Sequence, residues 1–589
     1  MKIALCQINT VAGNVRYNLK LILNGLSSSA ADGAAMAIFP ELAIPGYPPR
    51  DLLDYPEFLR DCDLALKDIA AECQRLGIGA LVGTVAANLF HGKKPLCNAA
   101  IYLPPDGSAP VIIYKKLLPT YDVFDEQRYF DEAPADLVPP VITLAGPAGE
   151  SLRLGVAICE DLWNDSEFWK SERRYPVDPV DALVDAGANV IVNISSSPFT
   201  QGKPIRRLDM MRHIARRRRM PVVMVNQVGG NDQVIFDGGS AVVAPDGTIQ
   251  TAAGWFCEGT VYWDSLGVRS VSGLSDLLKP VENNTRSILS ALKLGLRDYM
   301  ARTGFSQVIV GNSGGIDSAV VLALAVHSVG RENVISVTMP SQFTTSGTLD
   351  DAGVLARNLG IRHIEVPIGE VHQKFSHLLA DAASPVVEKL FDGDASQMNS
   401  IAEENIQARV RANILMYISN AITAPRALVV TTGNKSELAV GYCTLYGDMS
   451  GGLALISDVP KMTVYKLAVM LNEIMGDVIP LSIIEREPSA ELAPGQKDQD
   501  SLPPYPVLDE IIRQFVEEHL GADDIIASGV ADDAVVRRVV RLIENAEYKR
   551  AQAAPGLKVT SKAFGMGRRV PIARGTPIDL GGTDVCEGE

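Results

Sequence analysis

The chain has 589 residues, more than one hydrophobic core accommodates, since single cores stop growing at roughly 250–300 residues; two large domains are expected. An apolar content of 47% with interspersed charges excludes a long disordered region. The formal net charge of -16 opposes polynucleotide phosphates and argues against a nucleic-acid partner, while a local basic pocket can still take a small anion.

The opening MKIALCQINTVAGN has one lysine, a short apolar run and no small-residue cleavage site, so it does not read as a signal peptide. No later run approaches the roughly 18 apolar residues of a membrane span; the nearest, Ala319 to Val326, is short. A cytoplasmic location is the expectation. The eight cysteines, Cys6, Cys62, Cys73, Cys97, Cys159, Cys257, Cys443 and Cys586, form no CxxC pair and lack nearby histidines, which argues against zinc and against a disulfide framework.

From Lys2 onward, short β-branched runs alternate with helical stretches. KIALCQIN leads to a helix ending near Ser28, then AAMAIFP, a helix from Leu59 to Leu76, GALVGTVA, NAAIYLP and VIIYKKLL. LRLGVAICE, a helix from Val180 to Ala186, NVIVNIS, a helix from Ile205 to Arg219 and PVVMVNQV follow, with VIFDGGSAVVAPDG read as two paired strands. The arginine run Arg216 to Arg219, preceded by Arg206, Arg207 and Arg212, spreads around a helix and reads as a surface or interface helix, not a nucleic-acid stripe. After Trp263 periodicity lapses into Ser, Gly and Pro at short intervals, marking a linker. Beyond it come a helix from Thr285 to Arg302, SQVIVGN, VISVTMP, a helix from Asp350 to Leu359, HIEVPI, a helix from Ala402 to Thr423 and ALVVTT, an order that suits a doubly wound parallel sheet. The last stretch, GTPIDLGGTDVCEGE, is acidic and Gly-rich and reads as a frayed tail.

In the first half, Glu41 in IFPELAIPGYPP, Lys115 in YKKLLPTYDVFDE and Cys159 in GVAICEDLW all fall where strands end. Singly, such a Cys is core packing and such a Lys a solvated strand end. Together and in this order they resemble the nitrilase (carbon–nitrogen hydrolase) superfamily over about the first 260 residues. That resemblance implies an α-β-β-α sandwich with Cys159 as nucleophile, Glu41 as general base and then acid, and Lys115 stabilising the oxyanion. The chemistry agrees: a thiol of pKa about 8.5 gains from a carboxylate that takes its proton during attack, and a fixed ammonium suits the anionic tetrahedral intermediate. Tyr47, Tyr121, Glu160, Ser197 and Lys203 match positions that line the glutamine pocket of the glutaminase branch. Position 203 is arginine in some of those enzymes, which is not equivalent toward a carboxylate. Trp163 reads equally as a pocket residue or a core residue.

In the second half, VIVGNSGGIDSAVVLALA sets a Gly- and Ser-rich turn between an apolar strand and an apolar helix, where backbone N–H groups and the helix N-terminus suit phosphate oxygens. The absence of G-K-S/T excludes Walker A. The loop instead resembles the SGGxDS loop of the ATP pyrophosphatase family, whose members split ATP between the α- and β-phosphates. Glu437 in TTGNKSELAVGY reads alone as a first-turn helix acid; with Asp317 and triphosphate oxygens it also makes an oxygen shell for magnesium. NIQARVRANILMY, TTGNKSELAVGYCTLYGD, DVPK, REPSAEL and NAEYKRAQAAPG follow the order of the NAD synthetases over most of residues 285–575. This resemblance implies ATP contacts from Gly311, Ser313, Gly314, Gly315, Asp317, Ser318, Met339, Thr432, Lys461 and Ser489, magnesium on Asp317 and Glu437, and deamido-NAD contacts from Arg409, Asp448 and Lys549. Arg409 and Arg411 otherwise read as one exposed helix face. Leu445 stands where lysine can precede YGD in ammonia-only relatives.

The expected plan is α/β: a nitrilase-like α-β-β-α glutamine amidohydrolase domain over 1–265, a linker over 266–284, a doubly wound parallel-sheet ATP pyrophosphatase domain over 285–575 and a tail over 576–589. The combined resemblance is to glutamine-dependent NAD synthetases. It implies ammonia released from glutamine and channelled to an adenylate of deamido-NAD, small-molecule partners only, and a homo-oligomer with an octamer as the expected form. Two other enzyme readings, an SGGxDS GMP or asparagine synthetase and a tRNA-modifying enzyme, conflict with the nitrilase half and with the acidity. A non-catalytic nucleotide-binding regulator conflicts with the joint presence of all the chemical positions.

Overall fold

Period-two alternation builds the first half. In the strand Lys2–Gln7, Ile3 and Leu5 join one buried cluster while Ala4 and Cys6 join another, as expected when successive side chains point to opposite faces of a covered sheet. The same division holds for Met36 and Ile38 against Ala37, and for Val190, Val192 and Ile194 against Ile191. The computed structural model describes residues 1–573 apart from 91, 93, 147–148, 150, 171–173, 268–272, 382–383 and 494. It divides into two units, Met1–Gly295 and Leu296–Glu589; the expected tail over 576–589 lies outside the described residues.

The first unit holds two six-stranded sheets. One runs in the order Gly259–Asp264, Lys2–Gln7, Met36–Ile38, Gly79–Ala87, Leu96–Leu103, Val111–Tyr114. The other runs Ile249–Ala252, Ala241–Val243, Val222–Asn226, Val190–Ser195, Ser151–Ile158, Val141–Ala145. The cluster holding Ile3, Leu5, Val190 and Val192 lies between the sheets. Helices Val15–Ala31 and Pro56–Leu76 cover the outer face of the first sheet, and Pro179–Asp185 and Lys203–Arg218 cover that of the second, giving the α-β-β-α order. The two strands expected to pair within VIFDGGSAVVAPDG do not: Val234–Asp237 forms a hairpin with Val228–Asn231, and Ala241–Val243 pairs with Val222–Asn226 and Ile249–Ala252. Gly238 and Gly239, both at φ +67°, turn the chain from one sheet to another instead of closing a hairpin.

The stretch expected as linker contains a helix, Leu274–Glu282, whose Leu274, Leu278 and Val281 pack on the cluster beneath Lys203–Arg218. Their i, i+4, i+7 spacing gives it one apolar side. In the second unit five parallel strands run in the order Arg362–Glu365, Val334–Thr338, Gln307–Gly311, Ala427–Thr431, Leu453–Ala454. The order reverses between Gln307–Gly311 and Ala427–Thr431, and such a switch point opens a crevice beyond the strands' carboxyl ends. Among the described residues no helix is long and apolar enough to cross a membrane.

Candidate active sites

In the first unit, Glu41 lies three residues past Met36–Ile38, Lys115 directly follows Val111–Tyr114, and Cys159 directly follows Ser151–Ile158. All three are buried. The Lys115 ammonium donates to Glu41 Oε1 at 2.6 Å and to both Glu126 carboxylate oxygens at 2.8 Å. Glu41 is fixed on every side: Asn98 Nδ2 donates to its Oε1 at 2.8 Å and the Ser196 N–H to its Oε2 at 2.9 Å, so this carboxylate ties the end of one sheet to that of the other. Gly83 permits the approach, since a Cβ there would stand 2.3 Å from Leu42 N and 2.6 Å from Glu41 Cα. Cys159 itself adopts φ +46°, a left-handed conformation that side chains rarely take. Asp161 holds this turn, accepting from Ile158 N at 3.0 Å and from Leu117 N at 2.8 Å, which joins the Cys159 segment to the Lys115 segment.

Electrostatics sets the roles. Burial and the Glu41 charge push the Cys159 thiol well above its ordinary value, with Lys115 opposing them. Cys159 is therefore held as a thiol, and attack by its sulfur would need a base that removes the proton in the same step. Lys115 stays protonated: burial disfavours its charge, but Glu126 and Glu41 outweigh that and raise its pKa. Burial also raises the Glu126 carboxyl, to about 7, although Lys115 pulls it down.

The expected glutamine-pocket residues gather around this centre. Tyr47 OH donates to Glu126 Oε1 at 3.0 Å, and Tyr121 OH donates to the Glu160 carboxylate at 2.9 and 3.0 Å. Ser197 N donates to Asn226 Oδ1 at 2.9 Å, and the Lys203 ammonium lies 5.2 Å from the centroid of the Trp163 ring. Glu126, Asn98, Ser196 and Asp161 were not anticipated. Glu126 sits among other polar residues in DVFDEQRY, where no periodicity distinguishes it; Asn98, a polar residue inside the apolar strand LCNAAIYL, did carry a signal. The arginine helix differs from expectation in one respect: Arg207 is buried, pairing with Asp237 at 2.8 Å, and Arg217 pairs with Asp165 at 2.6 Å.

In the second unit the turn Asn312–Gly315 links Gln307–Gly311 to the helix Ile316–Val329. Gly314 is at φ +75°, and a Cβ there would meet Thr348 O at 2.3 Å, so only glycine fits. Ser313 Oγ and Ser318 Oγ are 3.2 Å apart, and Ser313 Oγ accepts from Gly315 N at 3.3 Å, which folds the turn over the helix N-terminus. Across the switch point, Asn434 caps the helix Lys435–Val440, accepting from Glu437 N at 3.0 Å and donating to Asp317 Oδ1 at 2.9 Å. Lys461, first residue of the helix Lys461–Met475, donates to Asp317 Oδ2 at 2.5 Å and to Glu437 Oε1 at 3.0 Å. Three residues far apart in sequence thus meet at the expected phosphate site, and Asn434, legible as an N-cap, joins them. Two carboxylate oxygens converging on one cation form a hard-oxygen donor set that fits magnesium once triphosphate oxygens complete it.

Met339 is buried after Val334–Thr338 and its carbonyl accepts from Arg411 Nε at 3.1 Å. Arg411 is therefore turned inward, with burial lowering its pKa to about 10, whereas Arg409 is exposed; the two do not form one exposed face. Gly311 ends its strand and Thr432 follows Ala427–Thr431, half-buried. Ser489 faces its own loop, donating to Gln496 O at 2.5 Å; its neighbour Arg486 reaches Gly314 O at 3.3 Å. Arg409, Asp448 and Lys549 converge on one loop: Arg409 Nε donates to Leu445 O at 3.2 Å, Asp448 accepts from Thr444 N at 2.6 Å, and Lys549 donates to Gly441 O and Cys443 O at 2.8 and 2.9 Å.

A sandwich carrying Cys, Glu and Lys at its strand ends, joined to a parallel sheet carrying a Gly-rich anion turn, defines a glutamine amidotransferase of the ligase class. The carbon-nitrogen hydrolase family model matches residues 2–265 and the NAD synthase family model residues 288–553. A glutamine-dependent NAD(+) synthetase of Synechocystis is 42% identical, covering 97% of this chain and 98% of that protein; one of Thermotoga maritima is 37% identical, covering 97% and 98%. The solved glutamine-dependent NAD+ synthetase of Acinetobacter baumannii in complex with ADP is 34% identical, with a TM-score of 0.71 over 97% of this chain and 98% of that one. The enzyme from Cytophaga hutchinsonii, 20% identical with a TM-score of 0.77 over 98% of each chain, shares the fold. The chain belongs to the glutamine-dependent NAD(+) synthetases.

Proposed function

We propose that this chain forms NAD from deamido-NAD, ATP and glutamine, with the amidase chemistry in its first unit and the synthetase chemistry in its second. The observation that carries this reading is the double constellation: Lys115 between Glu41 and Glu126 beside Cys159, and Lys461 between Asp317 and Glu437 at the switch point.

Cys159 attacks the glutamine carboxamide carbon as Glu41 takes the thiol proton. Lys115 holds the oxyanion, and Glu41 returns the proton to departing ammonia. The remaining thioester is hydrolysed by water, with Glu41 again as base, releasing glutamate. Tyr47, Tyr121, Glu160, Ser197 and Lys203 hold the substrate.

In the second site the nicotinate carboxylate of deamido-NAD attacks the α-phosphorus of ATP, giving an adenylate and pyrophosphate. Ammonia then displaces AMP, since a free carboxylate is a poor acyl donor. Gly311, Ser313, Gly314, Gly315 and Ser318 take the phosphates on backbone N–H and hydroxyl groups; Met339, Thr432 and Ser489 complete the ATP contacts, and Lys461 neutralises developing charge. Asp317 and Glu437 would hold magnesium, which when bound would supply Lewis-acid polarisation of the triphosphate. Arg409, Asp448 and Lys549 receive deamido-NAD.

Ammonia reacts only while unprotonated, so its transfer to the second site without release to solvent belongs to this proposal. A cytoplasmic location and an octameric assembly complete the reading; cell fractionation and light scattering test them. The decisive assay supplies glutamine labelled with 15N in its amide, together with ATP, magnesium and deamido-NAD. Mass spectrometry should find 15N in the NAD carboxamide with AMP and pyrophosphate in equal amount, and no labelled NAD would overturn the reading.

A further inference from the structure

Beside the amidase site lies a charge that its assigned residues do not use. Glu160, adjacent to Cys159, is buried and its carboxylate accepts from Tyr121 OH. The exposed Arg174 guanidinium lies 3.9 Å from the centroid of that tyrosine's ring. Lys203 stands over Trp163, four residues from Cys159. Tyr121 therefore has a carboxylate at its hydroxyl and a cation on its face. Among the described residues, Arg174 makes no ion pair or hydrogen bond of its own, although this chain has many acidic side chains with which to satisfy a guanidinium. Stacking on an aromatic face holds a guanidinium in orientation while leaving its in-plane N–H donors available, the arrangement suited to bidentate capture of a carboxylate.

We propose that Arg174 is a specificity-determining residue of the amidase: its guanidinium, with Lys203, receives the α-carboxylate of an L-α-amino acid whose α-ammonium meets Glu160, leaving the side-chain carboxamide to reach Cys159. The inference rests on the reading of this site as a glutamine amidase, and it adds what selects glutamine among carboxamides. One buried carboxylate flanked by cations on Tyr121 and Trp163 is complementary to a zwitterion and to neither half alone. A simple amide offers nothing to these charges, and an amide bearing only the ammonium meets Glu160 but leaves Arg174 unanswered.

The test uses the full chain with ATP, magnesium and deamido-NAD present. Ammonia release is measured from glutamine and from 4-aminobutyramide, which lacks only the α-carboxylate. Where the analogue turns over too slowly, its inhibition constant against glutamine replaces kcat/KM. In Arg174→Gln, kcat/KM for glutamine should fall at least about tenfold, as expected for loss of a charge-assisted contact, while 4-aminobutyramide is unaffected, so the preference between the two collapses. Arg174→Lys should retain part of that preference. Equal losses on both compounds would mean a structural role and would overturn the proposal, as would an unchanged preference. If the wild type releases no ammonia from glutamine, the amidase reading itself fails, a result distinct from either.

Discussion

Lys115 donates to Glu41 Oε1 at 2.6 Å with both side chains fully withdrawn from solvent. An ion pair this deep is stabilised by its attraction only because further groups satisfy it, here Glu126, Asn98 and the Ser196 N–H. Glu41 is also one of the charges that raise the Cys159 thiol, so a proton acceptor and a proton-bearing thiol share one pocket.

Glu41→Gln separates these effects. The negative charge that disfavours the thiolate is removed, so the Cys159 thiol should become more acidic, because Glu41 is among the groups that raise it. Glutamine hydrolysis should nevertheless fall by about 10²–10⁴, the range for loss of a general base. The pH dependence of iodoacetamide alkylation at Cys159 reads the first effect: its midpoint should move to lower pH in the variant. A midpoint that stays or rises would show that Glu41 does not act on the thiol, and retained hydrolysis would remove it as the base.

Lys435 makes a second buried knot, behind the phosphate site. Its ammonium donates to Glu517 at 2.7 Å, Thr560 Oγ1 at 2.6 Å and Lys562 O at 2.9 Å and pairs with Asp458 at 3.1 Å, while Asp458 accepts from Val559 N and Thr560 N at 2.8 and 2.7 Å. The C-terminal segment near Thr560 is thereby fastened to the helix Lys435–Val440 that carries Glu437. Lys435→Met leaves two carboxylates without their cation, at a cost of about 3–5 kcal/mol. We expect a lower unfolding temperature for the synthetase unit and faster proteolytic cleavage near residue 560, with glutamine hydrolysis kept. Wild-type proteolysis and melting in this variant would contradict the fastening.

How far the sequence foretold these sites depends on the range of the interactions. The NSGGIDS turn and the strand-end positions of Glu41, Lys115 and Cys159 are local features, visible as strand, glycines and polar residue in succession. The switch point is not, because strand order is decided by pairing between segments such as Gln307–Gly311 and Ala427–Thr431, more than a hundred residues apart. Glu126 was hidden for the same reason: its role comes from Lys115 and Tyr47, not from its neighbours in the chain. Helix Leu274–Glu282 was masked by Pro280 and the serines before it, although its leucines have helical spacing. The helices Tyr505–Ile512 and Asp533–Asn545, also absent from the sequence reading, pack into one apolar cluster with Ala439 and Val440 that backs the Glu437 helix.

Asp317→Asn should abolish NAD formation from glutamine and from ammonium alike, because both routes pass through the same adenylate. Asp317 is held by Asn434 at 2.9 Å and Lys461 at 2.5 Å, and an amide in its place presents no second anionic oxygen to magnesium. The loss should be at least about a hundredfold, comparable with removing a charge-stabilising group from a transition state. Glu437→Gln should instead raise the magnesium concentration for half-maximal rate. Pyrophosphate release under saturating ammonium measures both; near-normal turnover in folded Asp317→Asn, or an unchanged magnesium titration in Glu437→Gln, would remove that residue from the metal site.

Cys159→Ala should lose NAD synthesis from glutamine and keep it from added ammonium. Cys159, Glu41 and Lys115 belong to the unit Met1–Gly295, whereas Asp317, Glu437 and Lys461 belong to Leu296–Glu589, so removing the thiol touches no group assigned to ATP. Replacing a buried thiol by a methyl is also mild for folding, because a free Cys packs as a small hydrophobe. The ammonium-supported rate should climb from pH 7 toward 8.5 in mutant and wild type alike, as the unprotonated fraction of the nucleophile grows, until groups of the protein titrate. The glutamine-supported rate of the wild type should not follow that slope, since its ammonia is made next to Glu41 and not drawn from solvent. Both nitrogen sources are assayed across this range in both proteins. Good use of glutamine by the mutant would dismiss Cys159 as nucleophile, and loss of both activities in a folded mutant would dismiss the separation of the two sites.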